Sequence, residues 1–569
     1  MKRPMGKDTE GGRAGGEEGA RGGGLYEAAL RRLAAATAGK APPARASASV
    51  VPWRRGGAAG MGGIEVFWVK RAEALRFMGG WHAFPGGGLA RTDAKIVVAG
   101  VPAAAEGGSA PRPGEIAGVP AGGGGDPDLA PGIAACAIRE LFEETGILLA
   151  RRGVPAAAAG PAAAGKLTAL ATTRQELLAG RPFADVLAAL GATPDATRLV
   201  FAGRWTTPPF APLRFDNRFF LLEWPADEAV QPAVVPGELE AGGWIDARQA
   251  WEQWWRGEIL AAPPILHVLR VLHEEGPEEG LARLRDAAES WLGPIRRVEL
   301  RPGVIVFPLA THTLPPAATT NAYLLGHGQT VLVDPGSRDP DENERLAAAL
   351  AAAAQEGRRL TAIWLTHHHP DHVGGAAWLR GRLGVPVLAH RLTAKRLAGS
   401  PGAERAVPID GELHDGQRVV LAGDPPLTIQ VVHTPGHARG HVCFLVEGQQ
   451  SLLAGDMVAG IGTIVIDPPE GDMDDYLASL DKLLALAPQT LFPGHGPAIK
   501  DAAGKLREYV AHRLWREQRI LAAWTAGRRR PAEMLPAVYD DVPKEAYPIA
   551  ERQLLAHLAR LERAGKLEA

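Results

Sequence analysis

The chain has almost no cysteine. Among 569 residues only Cys136 and Cys443 occur, far apart and without a Cys-x-x-Cys pair. That excludes a disulfide framework and points to a reducing compartment, so a cytoplasmic protein is expected. An excess of charge is missing too: 62 Lys and Arg stand against 64 Asp and Glu. With no global field to attract nucleic acid or an anionic membrane, any such binding must be local. No apolar run approaches the roughly 18 residues of a membrane span. Gly, Glu and Arg follow the basic start, where a secretory signal needs an apolar segment. No membrane partner is expected.

What is present is an ordinary globular composition, 46% hydrophobic and 22% charged, in a chain too long for one core. Five segments are expected. Residues 1–45 form a Gly-rich, charged and disordered tail with a short amphipathic helix, "YEAALRRLAAATAG". Residues 46–275 form a first body, interrupted at 102–131 by a Gly/Pro-rich insertion that cannot build a core. A charged helix at 276–294 links it onward. A second body, 295–502, alternates short strands with helices, which suggests αββα or α+β layering. Residues 503–569 are helical.

"THHHPDHVGG" crowds four histidines and an aspartate into positions 367–372. Where a strand runs into a loop, alternate side chains face together, so His367 and His369 pair while His368 points away. Asp371 and His372 reach a second position beyond Pro370. Imidazole and carboxylate are ligands for zinc and similar ions, and two ions need about six or seven of them. The rest lie downstream: His437 in "HTPGHARGHV", Asp456 in "LLAGDMV" and His495 in "LFPGHGP". His433 and His441 are read as supports rather than ligands.

These motifs, with "VLVDPG" and its Asp334, resemble the metallo-β-lactamase superfamily over about residues 295–500. The resemblance implies an αββα sandwich holding two Zn, Mn or Fe ions. It puts His367, His369 and His437 on one ion, and Asp371, His372 and His495 on the other. Asp456 bridges them, and Asp371 and Asp456 take part in catalysis. Two adjacent cations activate a water and stabilise charge on the attacked carbonyl or phosphoryl group. Asp at the bridging position, where zinc β-lactamases typically carry Cys, favours hydrolases such as glyoxalase II and the nucleases.

"RELFEETG" sets Glu140, Glu143 and Glu144 on one helical face, where like charges repel unless a hard cation joins them. With "FPGGG" upstream, it resembles the Nudix hydrolase box, over about residues 48–270. That resemblance implies an α/β/α sandwich, Mg or Mn on Glu140, Glu143 and Glu144, and Glu140 as a candidate base. Arg139, Gly86 and Gly87 would support the site. The family's upstream Glu is absent at its expected distance, where Pro131 stands. "RFMGGWHAFPGG", with Arg76, resembles the branch that cleaves coenzyme A and its esters, so a diphosphate or CoA-type small molecule is the expected substrate.

The tail, "YVAHRLWREQRI" onward, resembles the small winged-helix domain of a lactamase-like endoribonuclease family. Single-stranded RNA is therefore a candidate partner, with a cap over the cleft or a homo-oligomer contact as the other uses of these helices. The function expected is a two-headed metal-dependent hydrolase, acting on a phosphodiester or thioester at one head and a diphosphate at the other. The alternative is a single active metallo-hydrolase carrying a non-catalytic Nudix module that binds or assembles.

Overall fold

The computed structural model describes residues 43–56, 63–73, 75, 78–101, 131–152, 161–207, 214–225, 230–290, 298–314, 316–317, 319–398, 407–460 and 462–567. Residues 1–42 of the expected disordered tail, its short helix, nearly all of the insertion and Arg76 lie outside these residues, and Arg45, at the tail's expected end, begins a strand.

In the first body, strands His82–Ala83, Ile64–Arg71, Arg45–Arg55, Phe215–Glu223 and Leu199–Thr206 lie side by side in that order. Short strand Gly86–Gly88 pairs with the start of Arg45–Arg55, and Leu239–Asp246 pairs with Ile64–Arg71. Arg45–Arg55 and Phe215–Glu223 run parallel, from Arg45 opposite Phe215 to Trp53 opposite Glu223. A central strand covered on both sides must be apolar on both, and this one is. Val50 faces the helices Pro131–Thr145 and Phe183–Leu190, while Val51 faces Ala247–Trp255 and Pro263–Glu274. The helix expected to link the bodies, Leu281–Ser290, packs into the first one: Leu284 is buried in its core.

The second body has two sheets. One holds Val298–Arg301, Val304–Ala310, Thr319–Leu325, Gln329–Val333, Arg359–Leu365, Val387–His390 and Gly411–Leu413 in chain order. The other holds Arg418–Leu421, Leu427–His433, Val442–Val446, Ser451–Gly455 and Thr490–Pro493. Along "VIVFPLA", Val304 and Val306 meet the opposite sheet, whereas Ile305, Phe307 and Leu309 meet helices Pro340–Gln355 and Ala376–Leu383. Helices Met473–Ala485 and Ala502–Thr525 cover the second sheet's outer face. The layering is αββα. Ala502–Thr525 continues into the C-terminal unit, where it packs with Pro531–Val538 and Tyr547–Arg563. No helix among the described residues is long and apolar enough to cross a membrane.

The bodies share a core. Trp81 and Leu260 come from the first but are buried among Val304, Tyr323, Val446 and Phe492 between the sheets of the second. Trp254 donates its indole N–H to Leu300 O at 3.0 Å, and Arg301 donates to Ile259 O at 3.0 Å. Truncating Trp81, which is 4% exposed, leaves a cavity across this junction. Trp81→Ala should cost about 3–5 kcal/mol, read as a lower urea midpoint by circular dichroism.

Candidate metal centre and a carboxylate cluster

Most histidines and aspartates of the candidate centre follow the end of a strand. Asp334 follows Gln329–Val333, and His367 and His369 follow Arg359–Leu365. His437 follows Leu427–His433, Asp456 follows Ser451–Gly455 and His495 follows Thr490–Pro493. Within each sheet those strands run in the same direction, so their ends meet at one edge. Asp371 and His372 lie on the single turn Pro370–Val373.

Four imidazoles have fixed tautomers. His372 donates Nδ1–H to Asp334 Oδ2 at 2.8 Å, His437 donates Nδ1–H to Val465 O at 2.8 Å, and His495 donates Nδ1–H to Thr319 O at 3.0 Å. The Thr366 hydroxyl spends its proton on Asp334 Oδ2, so His367 Nδ1 must donate to Thr366 Oγ1, 2.9 Å away. Each Nε2 therefore carries a lone pair, and the lone pairs converge. His367 Nε2 and His437 Nε2 lie 3.0 and 2.9 Å from Nδ1 of His369, and His372 Nε2 lies 3.3 Å from His495 Nε2. Nitrogens on a tetrahedral ion with bonds near 2.0–2.1 Å are themselves about 3.3 Å apart.

Asp456 spans the two groups. Its Oδ2 lies 3.6 Å from His437 Nε2, and its Oδ1 lies 3.4 Å from His372 Nε2 and 3.5 Å from His495 Nε2. That Oδ1 is buried and takes no hydrogen bond from the described residues. Asp371 Oδ2 approaches His495 Nε2 at 3.5 Å. Three groups have donor atoms within 4.8 Å of one another: His367–His369–His437–Asp456, Asp371–His372–His495, and Asp334–His367–His372, in the last of which Asp334 already accepts the His372 Nδ1–H. Converging lone pairs with an unpartnered buried carboxylate oxygen fit divalent cations.

The electrostatics agree. Burial and the neighbouring imidazoles hold His367 and His369 well below the usual imidazole range. Burial also opposes charge on His372, but Asp456, Asp371 and Asp334 outweigh it and drive this ring upward. Burial opposes ionisation of Asp456 as well, and His495 and His372 overcome it. Gly494 leaves room for this crowding: a Cβ there would stand 2.6 Å from Asp456 Oδ1 and 2.8 Å from His372 Cε1.

His441, read as a support, accepts the Asp456 backbone N–H at Nε2 (3.1 Å) and contacts Thr434 Oγ1 through Nδ1 (2.8 Å). His433 donates to Arg439 O at 2.9 Å and stacks on His390, and His368 turns out of the ligand groups. The sequence reading gave Asp334 no role. It accepts from Thr366 N, Thr366 Oγ1 and His372 Nδ1, and its place in "VLVDPG" was the available signal.

The first body's acidic residues are arranged differently. Glu140, Glu143 and Glu144 share a helical face beside the Gly86–Gly88 strand, but they do not form a set with ligand atoms within 4.8 Å. Arg139 stands among them, 2.8 Å from Glu140 Oε1 and 3.2 Å from Glu143 Oε1, while Glu144 Oε2 accepts Gly86 N–H at 2.9 Å. Arg139 thus lies against two of the three carboxylates expected to hold Mg or Mn. Gly87 packs directly on the helix, where a Cβ would lie 2.5 Å from the Glu140 carboxylate. The upstream carboxylate sought at Pro131 has a candidate before the insertion. Fully buried Asp93 grips Arg139 with both oxygens, at 3.0 and 2.9 Å. Counting forward from Gly87, rather than back from Arg139, would have found it.

Residues 315–495 match the metallo-β-lactamase superfamily model, and residues 531–569 match that of the β-lactamase-associated winged helix domain. A β-lactamase-like protein 2 homolog of Drosophila melanogaster is 36% identical over 258 residues, 44% of this chain and 84% of that protein. The chain belongs to the metallo-β-lactamase superfamily. It is a hydrolase of that superfamily, whose fold implies a divalent cation. An atrochrysone carboxyl ACP thioesterase of Aspergillus fumigatus is 29% identical over 266 residues, covering 43% of this chain and 78% of that one. Among solved structures, a NUDIX hydrolase from Alicyclobacillus acidocaldarius aligns at 30% identity and a TM-score of 0.33, over 43% of this chain and 97% of that chain.

Two outcomes follow from this geometry. Asp334→Asn keeps the volume but loses charge and an acceptor beneath two rings, and should weaken metal retention about 10–100-fold in a chelator competition. The second concerns the acidic cluster. Burial pushes Glu140 up to about 7 and Glu144 up to about 8. The metal-free fold therefore keeps protons there that the unfolded chain has already released, and stability falls as pH rises from about 4.5 to 8. In chelator, the urea midpoint should drop across that window, and less steeply in Glu144→Gln.

Proposed function

We propose that the second body is a binuclear metallo-hydrolase acting on a thioester of a carrier-bound or CoA-bound acyl group. The convergence of four Nε2 lone pairs on His369 Nδ1 and Asp456 carries the catalytic part of this reading. His367, His369, His437 and Asp456 would hold one cation, and Asp371, His372 and His495 with Asp456 the other. When bound, the cations supply an activated water and stabilise charge on the attacked carbonyl. The chain's residues do the rest. Hydrogen bonds to Asp334, Thr366, Thr319 and Val465 place a proton of His367, His372, His437 and His495 on the outer nitrogen and hold each ring's orientation, so that Nε2 faces the site. Asp371, the more exposed of the two site carboxylates, is placed to take up a proton at Oδ2. A leaving thiol has a pKa near 8.5 and needs no dedicated acid.

The thioester is preferred to single-stranded RNA on two grounds. A relative is named as an ACP thioesterase. Four of the tail's arginines are also paired within the chain: Arg516 with Asp541, Arg519 with Asp540, Arg560 with Glu517 and Asp474, and Arg563 with Asp472 and Asp474. A nucleic-acid surface needs such charges free for phosphates.

For the first body, the Asp93–Arg139 pairing beside Glu140 and Glu144 supports a Nudix-type site for a CoA-like diphosphate. The two bodies would then act on the two ends of one substrate class. Asp456→Ala should lower thioester hydrolysis by about three orders of magnitude or more and leave diphosphate cleavage intact. Glu143→Gln should do the reverse. Both variants are assayed beside wild type on an acyl-CoA, an acyl-carrier thioester and a short single-stranded RNA. RNA cleavage lost in Asp456→Ala, with thioesters untouched, would sink the substrate assignment. An inert Glu143→Gln would leave the first body as a binding module.

A further inference from the structure

The C-terminal helices resemble a nucleic-acid-binding module, yet four of their polar side chains, Tyr509, Arg513, Arg552 and Gln553, are spent on one loop of the metal-binding body. This loop, residues 457–472, leads away from Asp456. Tyr509 OH accepts Ala459 N–H at 2.9 Å and donates to Gly462 O at 3.2 Å. Arg513, 2% exposed, donates to Ile464 O at 2.6 Å. Arg552 pairs with Asp467 and donates to Pro468 O at 2.7 Å. Two helices, Ala502–Thr525 and Tyr547–Arg563, provide these contacts.

The central contact reaches the site itself. Gln553 Oε1 accepts the Ile466 N–H at 2.8 Å, and Val465 O accepts the His437 Nδ1–H at 2.8 Å. Val465 C=O and Ile466 N–H are the two ends of one peptide group, which is planar and stiff. Gln553 therefore holds one end of the plate whose other end fixes the His437 ring. Hydrogen bonds in such a chain polarise one another, so the acceptor on Ile466 also strengthens Val465 O as the partner of His437. The neighbouring contacts at Ile464 and Asp467 stop the plate from turning.

We infer that the C-terminal unit is a positioning clamp for the metal centre, acting through Gln553 and the 465–466 peptide on His437. This rests on the reading of His437 as a metal ligand. Partners of a ligating imidazole usually change metal affinity 10–100-fold, and one step further out the lower figure applies.

The test uses the full chain loaded with Co²⁺, read by visible absorption and by chelator competition. Wild type should hold two Co²⁺. Gln553→Met keeps the side-chain length and removes the acceptor. It should release one of the two ions about tenfold more readily and change that ion's absorption band, with the other unaffected. Gln553→Glu restores an acceptor at the same reach and should restore both readouts. A folded Gln553→Met with wild-type retention and spectrum overturns the clamp. If circular dichroism shows that Gln553→Met does not fold, Arg552→Gln decides. A smaller loss in the same direction supports the clamp, and unchanged retention overturns it. Wild type that binds no Co²⁺ defeats the metal reading itself, and is told apart because no variant is needed to see it.

Discussion

The metal-binding body depends on where five imidazole lone pairs point. Seven side chains that repel or compete must be gathered into two tight groups, and no packing force favours that. The structure meets the cost by giving each outward nitrogen of His367, His372, His437 and His495 an oxygen acceptor. Asp334 does most of this. It takes three hydrogen bonds from Thr366 and His372, and so fixes a ring in each of the two ligand groups from one buried carboxylate. The two-sheet sandwich then has a definite task, which is to bring five strand ends to one edge and keep them there.

The two bodies answer the same electrostatic problem in different ways. In both, acidic groups are gathered in buried surroundings where like charges cannot simply be left facing one another. The first body carries its own cation. Arg139 bonds to Asp93, Glu140, Glu143 and Gly88 O, and its side chain is 10% exposed. The second body has no guanidinium in its two ligand groups, only imidazoles that share protons with Asp334, Asp371 and Asp456. A fold that neutralises its carboxylates internally can be stable without a ligand. One that leaves lone pairs converging gains stability when a cation binds.

What could be read from the sequence was local. His367 to His372, the Gly-flanked His495 and the helix of Glu140 to Glu144 each occupy a few consecutive residues, and their spacing maps directly onto strand ends or a helical face. The αββα order was legible for the same reason, since strands such as Val304–Ala310 are apolar on both faces. Asp93 was not legible, because the insertion separates it by more than forty positions from its partner Arg139. The link from Gln553 to Val465 and His437 was hidden more deeply. It runs through backbone atoms, which every residue carries, so no side-chain pattern marks it. The helix Leu281–Ser290 was misread as a connector because its charged face is what composition shows, while the single side chain Leu284 decides where it packs.

The junction between the bodies bears on why they share a chain. A tether would have left each with its own closed core, but Trp81 and Leu260 complete the core of the second body. A polar contact lies beside them. Lys500, five residues past His495, donates to Gly80 O at 3.0 Å and pairs with Glu73 at 2.9 Å. Gly80 has φ +71, and a Cβ there would meet the Glu73 carboxylate at 2.5 Å, so this turn fits its neighbour only as glycine. The same turn leads through Trp81 and His82 into the Gly86–Gly88 strand that bears on Glu140 and Glu144. The segment entering one candidate site is therefore braced by the segment leaving the other. Separating the bodies would expose apolar surface and unpair a lysine in one step, which favours keeping both on one polypeptide.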